Sequence, residues 1–163
     1  MVIVMVIVLI FLWFLFKGGG SGLPTSIQMS NLLSASMYST SNCSTSFIPQ
    51  YKTGQELVKA CFNNEGEQCL DGRNVCQALN DTLKETIGNV LDVDEDSPNR
   101  AYRIRIYYHI PDSDEADKMF LKMEEGSFRN CTSRYGGSNS IFSGTGSIET
   151  RLEVCQGYEE VIG

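Results

Sequence analysis

Residues Ala101–Ile110 read AYRIRIYYHI, and their pattern decides the fold predicted for the chain. Large apolar side chains take every second position and predict one buried face: Tyr102, Ile104, Ile106, Tyr108 and Ile110. Polar side chains take the positions between them and predict a face in solvent: Arg103, Arg105, Tyr107 and His109. A period of two indicates a half-buried β-strand, central or next to central in its sheet.

Segments on the C-terminal side of this strand extend the sheet. Lys118–Met123 (KMFLKM) is predicted to return as a paired strand, because a helix this short is marginal. Ile148–Cys155 (IETRLEVC) alternates again, and its outward charges predict cross-strand ion pairs with Ala101–Ile110. Gly136–Ser140 and Ser143–Gly146 are predicted to be turns on either side of two apolar residues.

Helical patterns precede the strands. Ser30–Tyr38 is predicted to be a short helix capped by its first residue, and Ser39–Pro49 to be a loop. Thr53–Cys61 opens with a capping box completed by Glu56, and Asn74–Leu91 carries a longer 3.6-residue period. Helices followed by antiparallel strands predict an α+β domain, with short helices packed on one face of a three- to four-stranded sheet.

The N-terminal stretch Met1–Phe16, MVIVMVIVLIFLWFLF, contains no charged residue. As a helix it would be roughly 24 Å long, somewhat short of the ~30 Å hydrocarbon core, and Lys17 can lengthen it by snorkelling. Residues 1–17 are therefore predicted to be a single-pass transmembrane helix that anchors the chain in a cell membrane. The alternatives are a signal peptide, which should begin with a positive n-region, and a buried core element, which rarely runs so long.

The sequence around the anchor predicts how the chain is divided. The run begins at Met1 without a polar flank, so we expect the natural reading frame to start upstream or part of the anchor to be missing. Glycines in Gly18–Gly22 and Pro24 disfavour helix and predict a linker over residues 18–29. Residues 30–163 are predicted to be one extracytoplasmic domain.

Six cysteines predict the compartment: Cys43, Cys61, Cys69, Cys76, Cys131 and Cys155. An even number behind an apolar leader is typical of disulfides in an oxidising compartment, while zinc ligation and free core thiols are the alternatives. The spacings lack the CxxC pairs of structural zinc sites. The pairing stays open, but we expect Cys61, Cys69 and Cys76 to link two helices, and Cys131 and Cys155 to join neighbouring strands.

Three sequons agree with export. Asn42-Cys43-Ser44, Asn80-Asp81-Thr82 and Asn130-Cys131-Thr132 each match the N-glycosylation pattern. Asn42, Asn80 and Asn130 are therefore glycosylation candidates if the domain leaves the cytoplasm.

Charge and missing motifs exclude several classes of function. A net charge of −7 at pH 7 argues against nucleic acid and against anionic lipid headgroups as partners. The nucleophile elbow, the P-loop and the dinucleotide fingerprint do not occur, and a single histidine excludes an HExxH site. The acidic stretch Asp92–Arg100 starts like a calcium loop but lacks the glycine and glutamate that such a loop requires. We expect no enzyme activity, no cofactor and no metal site.

The layout resembles that of type IV pilin-like proteins, especially small archaeal exported ones. The segments that carry the resemblance are Met1–Phe16, NLLSASMYSTSNC with YKTGQELVKAC, CQALNDTLKETIGNVL and IETRLEVC. The resemblance implies a membrane-anchored cell-surface subunit whose apolar segment first holds it in the membrane and then packs in a filament core.

Two functional hypotheses follow. The first is a membrane-anchored extracytoplasmic structural or interaction protein, a pilin-like subunit that associates with itself through Met1–Phe16. The second is an anchored monomeric binding module, in which Arg103, Arg105, Tyr107 and His109 recognise a small anionic or glycan ligand.

Overall fold

The computed structural model describes residues 26–48, 50–94, 97–111, 117–129 and 131–157. Three helices precede most of the strands: α1 (Ser26–Tyr38), α2 (Gly54–Asn63) and α3 (Val75–Leu91). The strands are β1 (Thr40–Ser44), β2 (Tyr51–Thr53), β3 (Asn99–His109), β4 (Lys118–Gly126), β5 (Ser133–Ser143) and β6 (Gly146–Gln156). The predicted α+β class is confirmed.

All strand pairs are antiparallel, in two sheets. A four-stranded sheet has the order β4-β3-β6-β5, and β1 and β2 form a separate hairpin. The alternation predicted around β3 is confirmed, since Tyr102, Ile104 and Ile106 are buried. Ile110 is an exception, because it follows the end of the strand and is 40% exposed.

The predicted anchor over Met1–Phe16 lies outside the described residues. Among the helices that the structure describes, none is long and apolar enough to cross a membrane.

Helix α1 begins at Ser26, so residues 26–29, predicted to be linker, form its first turn, and Ser30 lies inside the helix instead of capping it. The reason is an apolar stripe with the spacing of a helix: Met29, Leu33 and Met37 are all buried. The stripe extends one turn further toward the N-terminus than the Ser cap suggested, because Met29 already contacts the core.

The other two helices form where the sequence predicted them. The Thr53 backbone N–H donates to Glu56 Oε2 (2.7 Å), and the Glu56 N–H donates to Thr53 Oγ1 (3.3 Å), which completes the capping box of α2. Asn74 caps α3 by accepting from the Cys76 N–H at 2.7 Å. Helix α3 is capped at its C-terminus by Asp92, whose φ of 45° lies in the left-handed region.

Two stretches predicted to be loop or turn are strands. β1 lies within Ser39–Pro49, and the region Gly136–Ser140 is the middle of β5. Position 137 requires glycine because α1 approaches the backbone of β5 closely: a Cβ at this position would lie 2.4 Å from the backbone N of Ser30 in α1. The other predicted turn, Ser143–Gly146, is confirmed as the hairpin between β5 and β6.

The helices and the inner face of the sheet enclose one core. It includes fully buried side chains from α2, α3, β3 and β6, such as Leu57, Leu83, Ile104 and Ile148. The opposite face of the sheet, which we call the outer face, carries the charged side chains of β3 and β6.

The predicted disulfides are confirmed, with bonds Cys43–Cys69, Cys61–Cys76 and Cys131–Cys155. Cys61–Cys76 joins α2 to α3, as expected, and Cys131–Cys155 ties the segment before β5 to β6. The prediction for Cys69 is wrong, because it bonds to Cys43 in β1. The loop after α2 turns back toward the hairpin, where the Leu70 N–H donates to the Ser44 carbonyl at 2.7 Å.

Candidate functional site

The outer face of the sheet is the candidate site. The register places the predicted residues Arg103, Arg105, Tyr107 and His109 in a column along β3. Their cross-strand neighbours form rows: Glu124 and Glu153 flank Arg103, Lys122 and Arg151 flank Arg105, and Met119 and Glu149 flank Tyr107. The four residues singled out from the sequence thus share one face, within a larger charged array.

Arg103 is held from three sides. Its Nε donates to Glu124 Oε2 at 2.8 Å, and its Nη1 lies 3.7 Å from Glu153 Oε2. Its guanidinium carbon lies 4.2 Å from the centre of the Phe128 ring, in cation–π geometry. The hydrogen bond from Arg103, followed by that from Lys122, lowers the pKa of Glu124 below its ordinary value of 4.5.

Arg105 lies in the middle of a row of three cations, with Lys122 on one side and Arg151 on the other. Like charges directly opposite each other destabilise a sheet. Carboxylates from the adjacent rows compensate: Arg105 Nη2 lies 2.7 Å from Glu153, Lys122 Nζ 3.1 Å from Glu124, and Arg151 Nη2 2.6 Å from Glu149. We call Lys122, Arg105 and Arg151 the cationic row.

The far end of the column is more exposed. His109 Nδ1 lies 2.8 Å from Asp117 Oδ1, and Arg151 Nη2 lies 3.7 Å from the other oxygen of the same carboxylate. The Arg151 guanidinium covers the Tyr107 ring, 4.9 Å from its centre. Within the described residues His109 is therefore the partner of a carboxylate, and no serine or cysteine nucleophile is hydrogen-bonded to it.

Two parts of this array were not predicted from the sequence. Glu124 of β4 was not assigned to it, although its place just after the predicted strand Lys118–Met123 is a usable signal once the register is known. Phe128 lies outside any strand, and no periodicity in the sequence could have placed it beside Arg103.

Two clefts lie elsewhere. One, of about 290 Å³, separates β1 from α3 and is lined by hydroxyl, amide and carboxylate groups, among them Asn42 and Glu85. Two of its hydroxyls already donate to helix carbonyls, Thr82 to Ala78 and Thr86 to Thr82. The other, of about 160 Å³, includes Asn80 and Lys84.

The sequons occupy different environments. Asn42 is exposed on β1, and Asn80 is partly exposed on α3. Asn130 lies outside the described residues. Glycosylation at the three positions stays a prediction.

Exposed apolar side chains gather at the tip of the β1–β2 hairpin. Phe47 is 95% exposed and Ile48 78%, with Tyr51 and Leu70 also at least half exposed.

Across the described ranges, no group of three or more histidine, cysteine or acidic side chains is arranged to hold a metal ion. In comparisons with known proteins, no family model, no curated protein and no solved structure matches the chain.

Proposed function

We propose that the chain is an exported, membrane-anchored structural and interaction protein, and that it is a pilin-like filament subunit. The domain faces the extracytoplasmic side, Met1–Phe16 holds it in the membrane, and the same segment packs against copies of itself in the filament. Three disulfides support export, because bonds of this kind persist in oxidising compartments.

The observation that carries the proposal is the internal pairing of charges on the outer face. Arg103, Arg105 and Arg151 each form an ion pair with a carboxylate from the same sheet. A face built in this way uses its charges within the sheet, where they link β3 to β4 and to β6, and it supports a structural role better than ligand capture. The apolar hairpin tip, with Phe47 and Ile48, agrees with an interaction role, since exposed apolar clusters are typical of contact surfaces.

Negative-stain microscopy of the native, membrane-extracted protein tests the proposal, beside the same protein lacking Met1–Phe16. We expect filaments from the intact chain and dispersed particles from the truncated chain. Peptide mapping of the three disulfides in both samples shows that the domain has kept its fold. Dispersed particles from both samples, or filaments from both, contradict the pilin-like role.

The cationic row favours a second function, the anchored binding module. The carboxylates that compensate these three neighbouring cations lie in the adjacent rows, so an anion bound on the cationic row itself would relieve the repulsion that remains. Titration of the detergent-solubilised protein with inorganic sulfate tests it. We expect Arg105→Ala to lose binding by about tenfold or more, while Lys59→Ala on α2 serves as the matched loss of charge away from the sheet. Equal affinities for the two variants contradict a site at the cationic row.

A further inference from the structure

The two edges of the four-stranded sheet differ in how they are protected. β4 is an edge protected against further pairing, because it carries Lys118, Lys122 and Glu124, and because its register with β3 shifts between Ile106 and Tyr107. β5 has neither feature. It pairs with β6 over eleven residues without a register shift, and Arg134 is its single charged residue. Long, regular and nearly uncharged edges are templates for another strand.

The hairpin between β5 and β6 fixes which residues of β5 direct their backbone N–H and C=O groups away from β6. A two-residue loop is closed by a hydrogen-bonded pair, here Ser143 and Gly146, and hydrogen-bonded pairs then recur at every second residue. The odd-numbered residues of β5 therefore bond to β6. The even-numbered residues direct their N–H and C=O groups away from the sheet: Arg134, Gly136, Ser138, Ser140 and Phe142.

We propose that the edge of β5 away from β6, which pairs with no other strand in the described part of the chain, pairs with β5 of a second copy of this chain, antiparallel and about a two-fold axis at Ser138. The partner is a second copy because the strand is complementary to itself in this register. Arg134 of one copy lies opposite Phe142 of the other, Gly136 opposite Ser140, and Ser138 opposite Ser138. The result is a continuous eight-stranded sheet.

The exposed groups on β5 match this pairing. Phe142 is 87% exposed, and the Arg134 side chain is 57% exposed with its Nη1 3.6 Å from Glu153. Across the axis each Arg134 guanidinium meets the partner's phenyl ring, a cation–π contact that forms twice by symmetry. Between these two contacts the paired residues are Gly136, Ser138 and Ser140, which are small and uncharged, so no like charges face each other where the two strands meet.

Helix α1 supports the same arrangement. It is the helix that lies against β5, as the approach of Ser30 to Gly137 shows. Its exposed stripe has large apolar residues at the ends, Ile27 (72% exposed) and Tyr38 (68%), and the smaller Asn31 and Ala35 between them. Two-fold symmetry places a second α1 on the same side of the joined sheet, antiparallel to the first, with small residues in the middle of the contact.

This inference is independent of the membrane anchor, since pairing of β5 needs nothing from Met1–Phe16. Site-specific crosslinking therefore tests it apart from the filament proposal. The full chain carries Ser138→Cys and is treated in detergent with a short bifunctional thiol reagent, because Cβ atoms of a hydrogen-bonded pair are about 5 Å apart, longer than a disulfide spans. The six native cysteines do not react, because all are in disulfides.

Ser140→Cys is the control for register. It lies on the same strand and face, but the proposed axis separates the two copies of residue 140 by roughly 14 Å, too far for the reagent. We expect covalent dimer from Ser138→Cys and not from Ser140→Cys. Equal crosslinking of the two variants, or none from Ser138→Cys, overturns the proposal.

A second pair of variants tests the contact itself. In the Ser138→Cys background, Phe142→Ala should lower the yield of dimer about tenfold, because the cation–π contact is lost twice. Val90→Ala removes an exposed apolar side chain from α3 instead of β5 and should leave the yield unchanged. Both side chains are in solvent in the single chain, so neither change should prevent folding. Equal yields from the two variants overturn the assigned register.

Discussion

At the scale of single residues, Gly137 shows how a backbone contact determines a residue type. A methyl group there would approach the Ser30 backbone N to 2.4 Å, so α1 would have to move away from β5. We expect Gly137→Ala to lower the free energy of unfolding by about 2–3 kcal/mol, by the overpacking it forces. Urea denaturation measures this, with Gly66→Ala as the control, since the nearest atom to a Cβ there is 3.6 Å away. Equal stabilities would mean that α1 does not lie this close to the sheet.

The same glycine explains a failed prediction. Gly136 and Gly137 look like turn residues when only the neighbouring sequence is considered, because glycine has the same propensity whether it serves a turn or a close contact. The deciding partner, Ser30, is more than one hundred residues away in the chain. By contrast, the alternation around Ile104 needed no distant information and was predicted correctly.

Glu124 gives the outer face a dependence on pH. Hydrogen bonds from Arg103 and Lys122 lower its pKa in the folded state, so its stabilising effect is complete above the unfolded pKa of about 4.5 and is lost as the pH falls through the lowered folded value. We expect Glu124→Gln to be less stable than the wild type by about 0.5–1 kcal/mol at pH 7, as for exposed ion pairs. The difference should shrink at pH 3, because this pH is below the unfolded pKa and the carboxylate of the unfolded chain is then protonated.

Thermal unfolding of both proteins at the two pH values measures this difference. Glu85→Gln, on the exposed side of α3, is the control for a lost negative charge outside the sheet. A stability difference for Glu124→Gln that is the same at pH 3 and pH 7 would show that the ion pair with Arg103 does not form.

At the scale of elements, the predictable ones are those whose pattern is amphipathic. Helix α3 and strands β3 and β6 each bury one face, and each appears where its periodicity placed it. β1 is Ser- and Thr-rich, and its place depends on Cys43, which bonds to Cys69. Pairing of cysteines depends on the folded arrangement and cannot be derived from spacing alone.

The Cys61–Cys76 disulfide closes a loop between residues 15 apart and links α2 to α3. Replacing both cysteines by alanine should cost about 3 kcal/mol in the free energy of unfolding, mainly by freeing the unfolded chain. Removing Cys43–Cys69, whose residues are 26 apart, should cost about 0.5 kcal/mol more by the same dependence on loop length. Urea denaturation of both double variants compares them, and an order reversed by more than this margin would show that strain or packing outweighs chain entropy.

At the scale of the whole molecule, the disulfides divide the domain unevenly. Two of them lie in the helical layer and the hairpin, and the third is at one end of the sheet. β3 and β6 are the central strands, each paired on both sides, and their inner faces supply Ile104, Ile106 and Leu152 to the core. The sheet therefore depends on burial and pairing, and the helical layer depends in addition on its covalent links.

Hydrogen exchange followed by mass spectrometry, before and after reduction, tests this division. In the oxidised protein we expect β3 and β6 to exchange slowest, because their backbone groups bond on both sides and lie over the core. After reduction, exchange should rise first in the β1–β2 hairpin, whose Cys43 loses its link to Cys69, and in α2, which loses its link to α3. Alkylation of the oxidised sample controls for the reagent. A uniform rise across all strands and helices would show instead that the domain unfolds as one cooperative unit whose sheet needs the disulfides as much as the helices do.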